Sequence, residues 1–158
     1  MWWKLTRSQF EQRKGEENKK ALRQRVFAGE IPGLLVYAHG EAVGWCAVEP
    51  RNAFPTLERS RILKRVDDKP VWSVVCFFVA RPYRRQGLSE CLLQFAVEYA
   101  GSRGAQVVEG YPVASQKANY PDTFAYTGRD TVFRRVGFEE VARRSPTRPI
   151  MRYTIAHH

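Results

Sequence analysis

The chain has 158 residues, 44% hydrophobic and 27% charged, which fits one domain, 1–158, able to bury about two-thirds of its unfolded surface. No apolar run reaches the roughly 18 residues of a membrane-spanning helix. The opening MWWKLTRSQFEQRKGEENKK has neither an apolar signal core nor a small-residue cleavage site, so the expectation is a cytoplasmic protein without membrane contact. Lys and Arg total 26 against 16 acids, a formal charge of +10 that favours an anionic partner. The bases are dispersed, eight before residue 30, six from Arg51 to Lys69 and seven from Arg129 onward, interleaved with acids and without a basic tail.

Cys46, Cys76 and Cys91 form no CxxC pair and sit in apolar segments, which predicts reduced, buried thiols. His39, His157 and His158 have no ligand spacing, so no metal is expected. Along the chain, Ser8-Gln9-Phe10-Glu11 reads as a capping box opening an outer helix over 8–28. Residues 33–38 and 41–49 read as two strands joined at His39-Gly40-Glu41. Pro50 to Pro70 reads as a long loop with a short helix over Leu57–Leu63. The run Val71–Val79, β-branched and aromatic between Pro70 and Pro82, predicts a central buried strand. The period then changes: Leu88, Cys91, Leu92, Phe95, Ala96 and Tyr99 form a helical stripe that Gly101 and Gly104 end. A strand over 106–112 completes a strand–helix–strand unit whose length suits a parallel crossover. After a loop over 114–126, a helix over 129–136 stops at Gly137 and two closing strands follow near 140–144 and 150–155.

The turn Arg84-Arg85-Gln86-Gly87-Leu88-Ser89 joins the buried strand to the amphipathic helix. Free N–H groups of a first helical turn and the helix dipole both attract an anion there. Gly87 permits close approach, Ser89 adds a hydroxyl and two arginines flank the spot, a combination that describes a pyrophosphate cradle. A dinucleotide GxGxxG fingerprint and a GxxxxGK phosphate loop are both absent.

Arg84-x-x-Gly87-x-Ser89 resembles the (Gln/Arg)-x-x-Gly-x-(Gly/Ala) acyl-CoA motif of the GNAT superfamily of N-acetyltransferases, with Ser89 a small departure. Gly40–Trp45, GEAVGW, looks like the strand that precedes that motif, and Phe133–Phe138, FRRVGF, looks like the family's C-terminal Tyr-x-x-x-Gly-Phe element. The resemblance spans about residues 34–155. It implies an α/β fold with a mixed, mostly antiparallel six- or seven-stranded sheet, splayed at the central strand, with helices on both faces. It implies acetyl-CoA as co-substrate in that opening, with the backbone of Phe78 and Val79 along the pantetheine. The N–H groups of Arg85, Gln86, Gly87, Leu88 and Ser89, with Arg84, would hold the pyrophosphate.

In many relatives a tyrosine at the start of the last element protonates the leaving thiolate; here that position is Phe133. Tyr126 is the first candidate to replace it, ahead of Tyr120 and Tyr111. Glu109 and Glu49, each in or at the end of an apolar strand, are candidate bases, with pairing to arginines as the alternative. Cys76 and Cys91 read as small hydrophobes, not acyl carriers. The loops 51–69 and 114–126, with Trp2, Trp3 and Trp72, are expected to line the acceptor pocket. The expected activity is acetyl transfer to a primary amine of a small, neutral or acidic acceptor, in an enzyme that could form a homodimer. Two alternatives stay open: a CoA-binding sensor without turnover, favoured by Phe133, and a nucleic-acid-binding module, favoured only by charge.

Overall fold

The most apolar stretch of the chain becomes the centre of the sheet. In the computed structural model, which describes residues 1–114 and 126–156, that stretch is β3, Trp72–Val79. Before it come helices α1, Arg7–Gln12, and α2, Glu16–Phe27, the hairpin of β1, Gly33–Ala38, and β2, Glu41–Pro50, and a short helix α3, Pro55–Arg59. After it come α4, Leu88–Ser102, β4, Val107–Gly110, α5, Asp130–Val136, β5, Glu139–Arg143, and β6, Pro149–Thr154. The six strands lie in the order β1-β2-β3-β4-β6-β5. Only β3 and β4 are parallel, as their crossover through α4 requires; every other neighbouring pair is antiparallel. This is the mixed, mostly antiparallel sheet that the sequence pattern and the resemblance led to.

β3 and β4 pair only where Trp72, Ser73 and Val74 meet Val108, Glu109 and Gly110. From Val75 onward β3 runs without β4, so the sheet opens at its middle. The chain returning from the crossover enters the opening: Phe77 N donates to Tyr126 O at 2.7 Å and Val113 N to Gly128 O at 2.8 Å.

Helices cover both faces. On one, Leu92, Leu93, Ala96 and Ala100 of α4, with Phe133 of α5, bury against Cys46, Val48, Val74, Val108 and Met151. On the other, Trp3, Phe54, Leu57 and Leu63 bury against Val75, Tyr111 and Ile150. The N-terminal turn is tied to α3 by the Thr56 hydroxyl, which donates to the carbonyls of Trp2 and Leu5.

Several local readings are corrected. The first helix is two helices, separated at Arg13–Gly15, and its capping box is Thr6 with Gln9, because the helical turn begins at Arg7 and takes Ser8 inside it. The short loop helix starts at Pro55 and ends at Arg59, with proline in the first turn where a missing N–H costs nothing. α4 is rotated from the expected stripe: Leu93, Val97 and Ala100 are buried while Phe95 is 55% exposed. Apolar residues surround most of this helix, so periodicity alone could not choose the inward face. Cys46 is buried, but Cys76 and Cys91 are only partly so; all three are reduced.

Candidate active site

The turn between β3 and α4 is built to leave its amides unspent. Arg81-Pro82-Tyr83 makes one 3-10 turn, Arg84 is extended, and then Arg85 at φ 61° and Gly87 at φ 80° bend the backbone into the start of α4. A positive φ at Arg85 is uncommon for a residue with a side chain. The N–H groups from Arg85 to Glu90 have no acceptor among the described residues, and the first bond of the helix is Cys91 N to Gly87 O at 3.1 Å. A Cβ built on Gly87 would meet nothing within 4 Å. Glycine is needed there for its backbone angle, and the space beside it is open to a ligand. Amides at the positive end of a fifteen-residue helix attract negative charge, so this arrangement is suited to an anion.

That turn walls a cleft of about 490 Å³, within the ordinary size range of ligand sites. Phe78, Val79, Gly87, Leu88 and Ser89 line one side, Tyr126, Gly128, Val132 and Phe133 the other. Four arginines face it, Arg84, Arg85, Arg129 and Arg135, against one carboxylate, Glu90, which accepts a hydrogen bond from Arg135 Nε at 2.8 Å. Arg129 and Arg135 were not foreseen. They lie far along the chain from the turn, and only the packing of Val132 and Val136 with the α4 core brings them near.

The strand alternates its polar groups. Phe77 N points to Tyr126, and Ala80 N points to Val43 of β2, so Val79, not Phe78, turns its backbone to the opening. Phe78 meets the cleft with its ring instead, which is 56% exposed. Arg84 Nε donates to Val79 O at 2.9 Å, fixing the guanidinium at the strand end. The Gln86 side chain turns back to Pro82 O at 3.1 Å, leaving only its amide for a ligand.

Tyr126 is a wall shared by two cavities. It lines the cleft, and it also lines a smaller pocket of about 250 Å³ with Trp2, Trp3, Trp45, Phe54 and Glu49. The Trp3 and Tyr126 rings are 6.4 Å apart. Burial pushes the Tyr126 phenol above its ordinary value, with Arg148 opposing, so it keeps its proton at neutral pH. Trp2 and Trp3, two of the three tryptophans expected at an acceptor pocket, both line this smaller cavity. Trp72 does not: it packs edge-on to Tyr99 of α4, 5.9 Å between centroids, on the opposite face of the sheet. Of loop 51–69 only Phe54 reaches the pocket. Residues 115–125, and Tyr120 with them, lie outside the described residues.

Glu109 and Tyr111 occupy a different environment. Glu109 is 1% exposed, and neither cavity is lined by it. Its Oε1 accepts from Arg51 Nη1 at 2.9 Å and from the Tyr111 hydroxyl at 2.7 Å, and its Oε2 from Arg152 Nε at 2.7 Å. Because the single Tyr111 proton goes to Glu109, the Ser73 hydroxyl must donate to the Tyr111 oxygen, 2.8 Å away. Arg51 continues to Glu58 and the Leu63 carbonyl, and Arg152 to both oxygens of Asp67. The network staples loop 51–69 to β4 and β6. For Glu109 the arginine-paired alternative is the one observed, and Tyr111 has no free proton to give. Glu49 sits in the aromatic pocket, 2.6 Å from Lys4 Nζ.

Phe133, where the family pattern has tyrosine, is fully buried. It stacks edge-on to Phe77 at 6.1 Å and Phe138 at 4.9 Å. Among the described residues no group of His, Cys, Asp and Glu could hold a metal, and no helix is long and apolar enough to cross a membrane.

The fold of the chain is shared with known structures. An acetyltransferase of the GNAT family from Listeria monocytogenes aligns with TM-score 0.59 at 12% identity, covering 95% of this chain and 77% of that one. The ribosomal-protein-alanine N-acetyltransferase of Brucella melitensis aligns with TM-score 0.55 at 19% identity, over 89% and 78%. An N-acetyltransferase of Staphylococcus aureus aligns with TM-score 0.57 at 12%, over 88% and 76%. At such identities these likenesses concern the fold. No curated protein matches the chain. Residues 1–121 match the family described as acetyltransferase (GNAT), so the motif, the split sheet and the match agree: the chain belongs to the GNAT acetyltransferase family.

Proposed function

We propose that the protein transfers an acetyl group from acetyl-CoA directly to a primary amine, with the nucleotide end of the co-substrate in the cleft at the head of α4. The observation that carries this reading is the run of unbonded N–H groups from Arg85 to Glu90 beside open space at Gly87, under four arginines. A pyrophosphate satisfies those donors and that charge together. Ser89 adds a hydroxyl donor, and Val79 offers its backbone edge to an extended amide-bearing arm.

The smaller pocket receives the acceptor, because Tyr126 is common to both cavities and the two reactants must meet at their shared wall. Glu49 takes the proton that the incoming ammonium must lose. The amine nitrogen then bonds to the acetyl carbon as the carbon–sulfur bond breaks, and Tyr126, protonated at neutral pH, gives its proton to the departing thiolate. The second proton of the nitrogen goes to solvent and the proton held by Glu49 resets Tyr126, so one ammonium and one thioester become one amide, one thiol and one proton. Glu109 acts through structure, holding β4 in register at the base of the split.

Acetyl-CoA at about 100 times its dissociation constant should stabilise the protein by about 2.7 kcal/mol, or raise its melting temperature by about 5–10 °C. Gly87→Asp, which puts a carboxylate into the anion site and strains the left-handed backbone less than most residues would, should erase that rise while lowering the unliganded melting temperature by only a few degrees. A rise that survives the substitution overturns the site. A second reading, binding without turnover, is favoured by Phe133; thiol release on adding an amine rejects it.

A further inference from the structure

Two rows of side chains cross the sheet from β3 to its outer edge at β1, and they differ in size. Residues paired across an antiparallel ladder point to the same face. One row is Gly33, Ala47 and Cys76, all small; the next is Leu35, Trp45 and Phe78, all large. Ala47 and Cys76 line the aromatic pocket, which has room because little rises from the sheet there. The large row is open to solvent at both ends, with Leu35 51% and Phe78 56% exposed. Between them the Trp45 indole reaches across to β1, 2.8 Å from where a Cβ on Gly33 would stand, and glycine leaves the room that the ring uses. Phe78 also lines the cleft at the head of α4, and Trp45 the aromatic pocket, so the row joins both cavities to the open edge of the sheet.

Exposed apolar side chains in a row beside a pocket offer a surface that a ligand can cover. The charged groups of the pocket come from Met1, Lys4 and Glu49, and the two rows carry none. Tyr126 stands at the β3 end, its carbonyl bonded to Phe77 N, and Leu35 lies at the far end on the edge strand. Resting on the reading that the amine reacts at the wall formed by Tyr126, we infer that the acceptor is a primary monoamine carried on an extended apolar body. That body crosses from β3 over Trp45 to Leu35. Two strand spacings separate the ends, about 10 Å, the reach of a chain of about eight carbons. A polar or charged body would have to shed its hydration onto rings and methyl groups and would gain no bond from the row.

The test is a series of n-alkylamines, from n-butylamine through n-hexylamine and n-octylamine to n-decylamine, given to the full chain with acetyl-CoA while thiol release is followed. The value of kcat/KM should rise about twofold to fourfold for each added methylene up to about eight carbons, then level off, as expected for CH2 groups buried in part or in full. The polar amine 2-(2-aminoethoxy)ethanol, as long as n-hexylamine, should be at least about tenfold poorer than it. Leu35→Asp should lower the octylamine-to-butylamine ratio of kcat/KM at least about fivefold. An unchanged ratio in that variant overturns the inference, and so does a flat series in the unmodified protein, whether or not the variant folds. Thiol release equal for all the amines upholds the transferase and overturns the apolar acceptor. Calorimetric binding that tightens with chain length, without thiol release from any amine, upholds the apolar surface and overturns the transferase. The absence of both overturns both.

Discussion

The two polar centres beside the split in the sheet are opposites. At the head of α4, N–H groups from Arg85 to Glu90 have no acceptor among the described residues and border an open cleft. At the base of the split, both oxygens of Glu109 are taken and the Tyr111 hydroxyl is engaged by three partners. Bonding capacity left unmet near a cavity is capacity for a ligand; capacity wholly met in the interior holds the fold. By that criterion we assign the turn to ligand binding and Glu109 to structure, although both looked like site residues in the sequence.

Glu109→Gln is the strongest way to break this division. It takes one carboxylate from the buried Arg51 guanidinium and one from Arg152, which keep Glu58 and Asp67, so the cost lies at the lower end of the about 3–5 kcal/mol of a broken buried pair. A drop in melting temperature of about 6–15 °C follows for a chain of this size, while kcat per folded molecule stays within about twofold. The reverse outcome, an unchanged melting temperature with kcat reduced about a hundredfold or more, would make Glu109 the base and dissolve the contrast.

Tyr126→Phe probes the other side. Tyr126 touches both cavities through its ring and holds β3 through its backbone carbonyl, which the substitution keeps. Losing the phenolic proton should reduce kcat about a hundredfold, with KM for acetyl-CoA and the melting temperature nearly unchanged. An unaltered kcat would remove Tyr126 from proton transfer.

What the sequence revealed, and what it concealed, follows the same contrast. The apolar run of β3, the turn after it and the helix that follows are local patterns, and all stand at the predicted places. The turn with its unspent amides was legible because it is one short stretch of chain, Arg84 to Glu90. Arg129 and Arg135 were not, since no local signal marks an arginine that reaches the cleft only after α5 packs on α4. Glu109 was misjudged for a related reason. A carboxylate in an apolar strand looks the same in sequence whether it faces a reactant or is clamped by guanidiniums 58 and 43 residues away. Trp72 packs against α4 and not in the cavity with Trp2 and Trp3, which the sequence could not show because alternation along β3 fixes two faces without naming either.

Phe133→Tyr restores the residue that the family pattern has at this position, and it should not restore its role. The Phe133 ring is fully buried, with its para carbon only 2.8 Å from where a Cβ on Gly110 would stand, so the ring lies directly on a glycine that has no side chain to yield. A hydroxyl on that carbon must displace packed atoms and find a partner in the interior, at a cost of about 1–3 kcal/mol. The expected result is a fall in melting temperature of a few degrees and no gain in kcat, either alone or combined with Tyr126→Phe. A double variant that recovers activity would mean that a hydroxyl on the Phe133 ring, which borders the cleft, reaches the reacting sulfur, and that the proton can be delivered from α5 as well as from the shared wall at Tyr126.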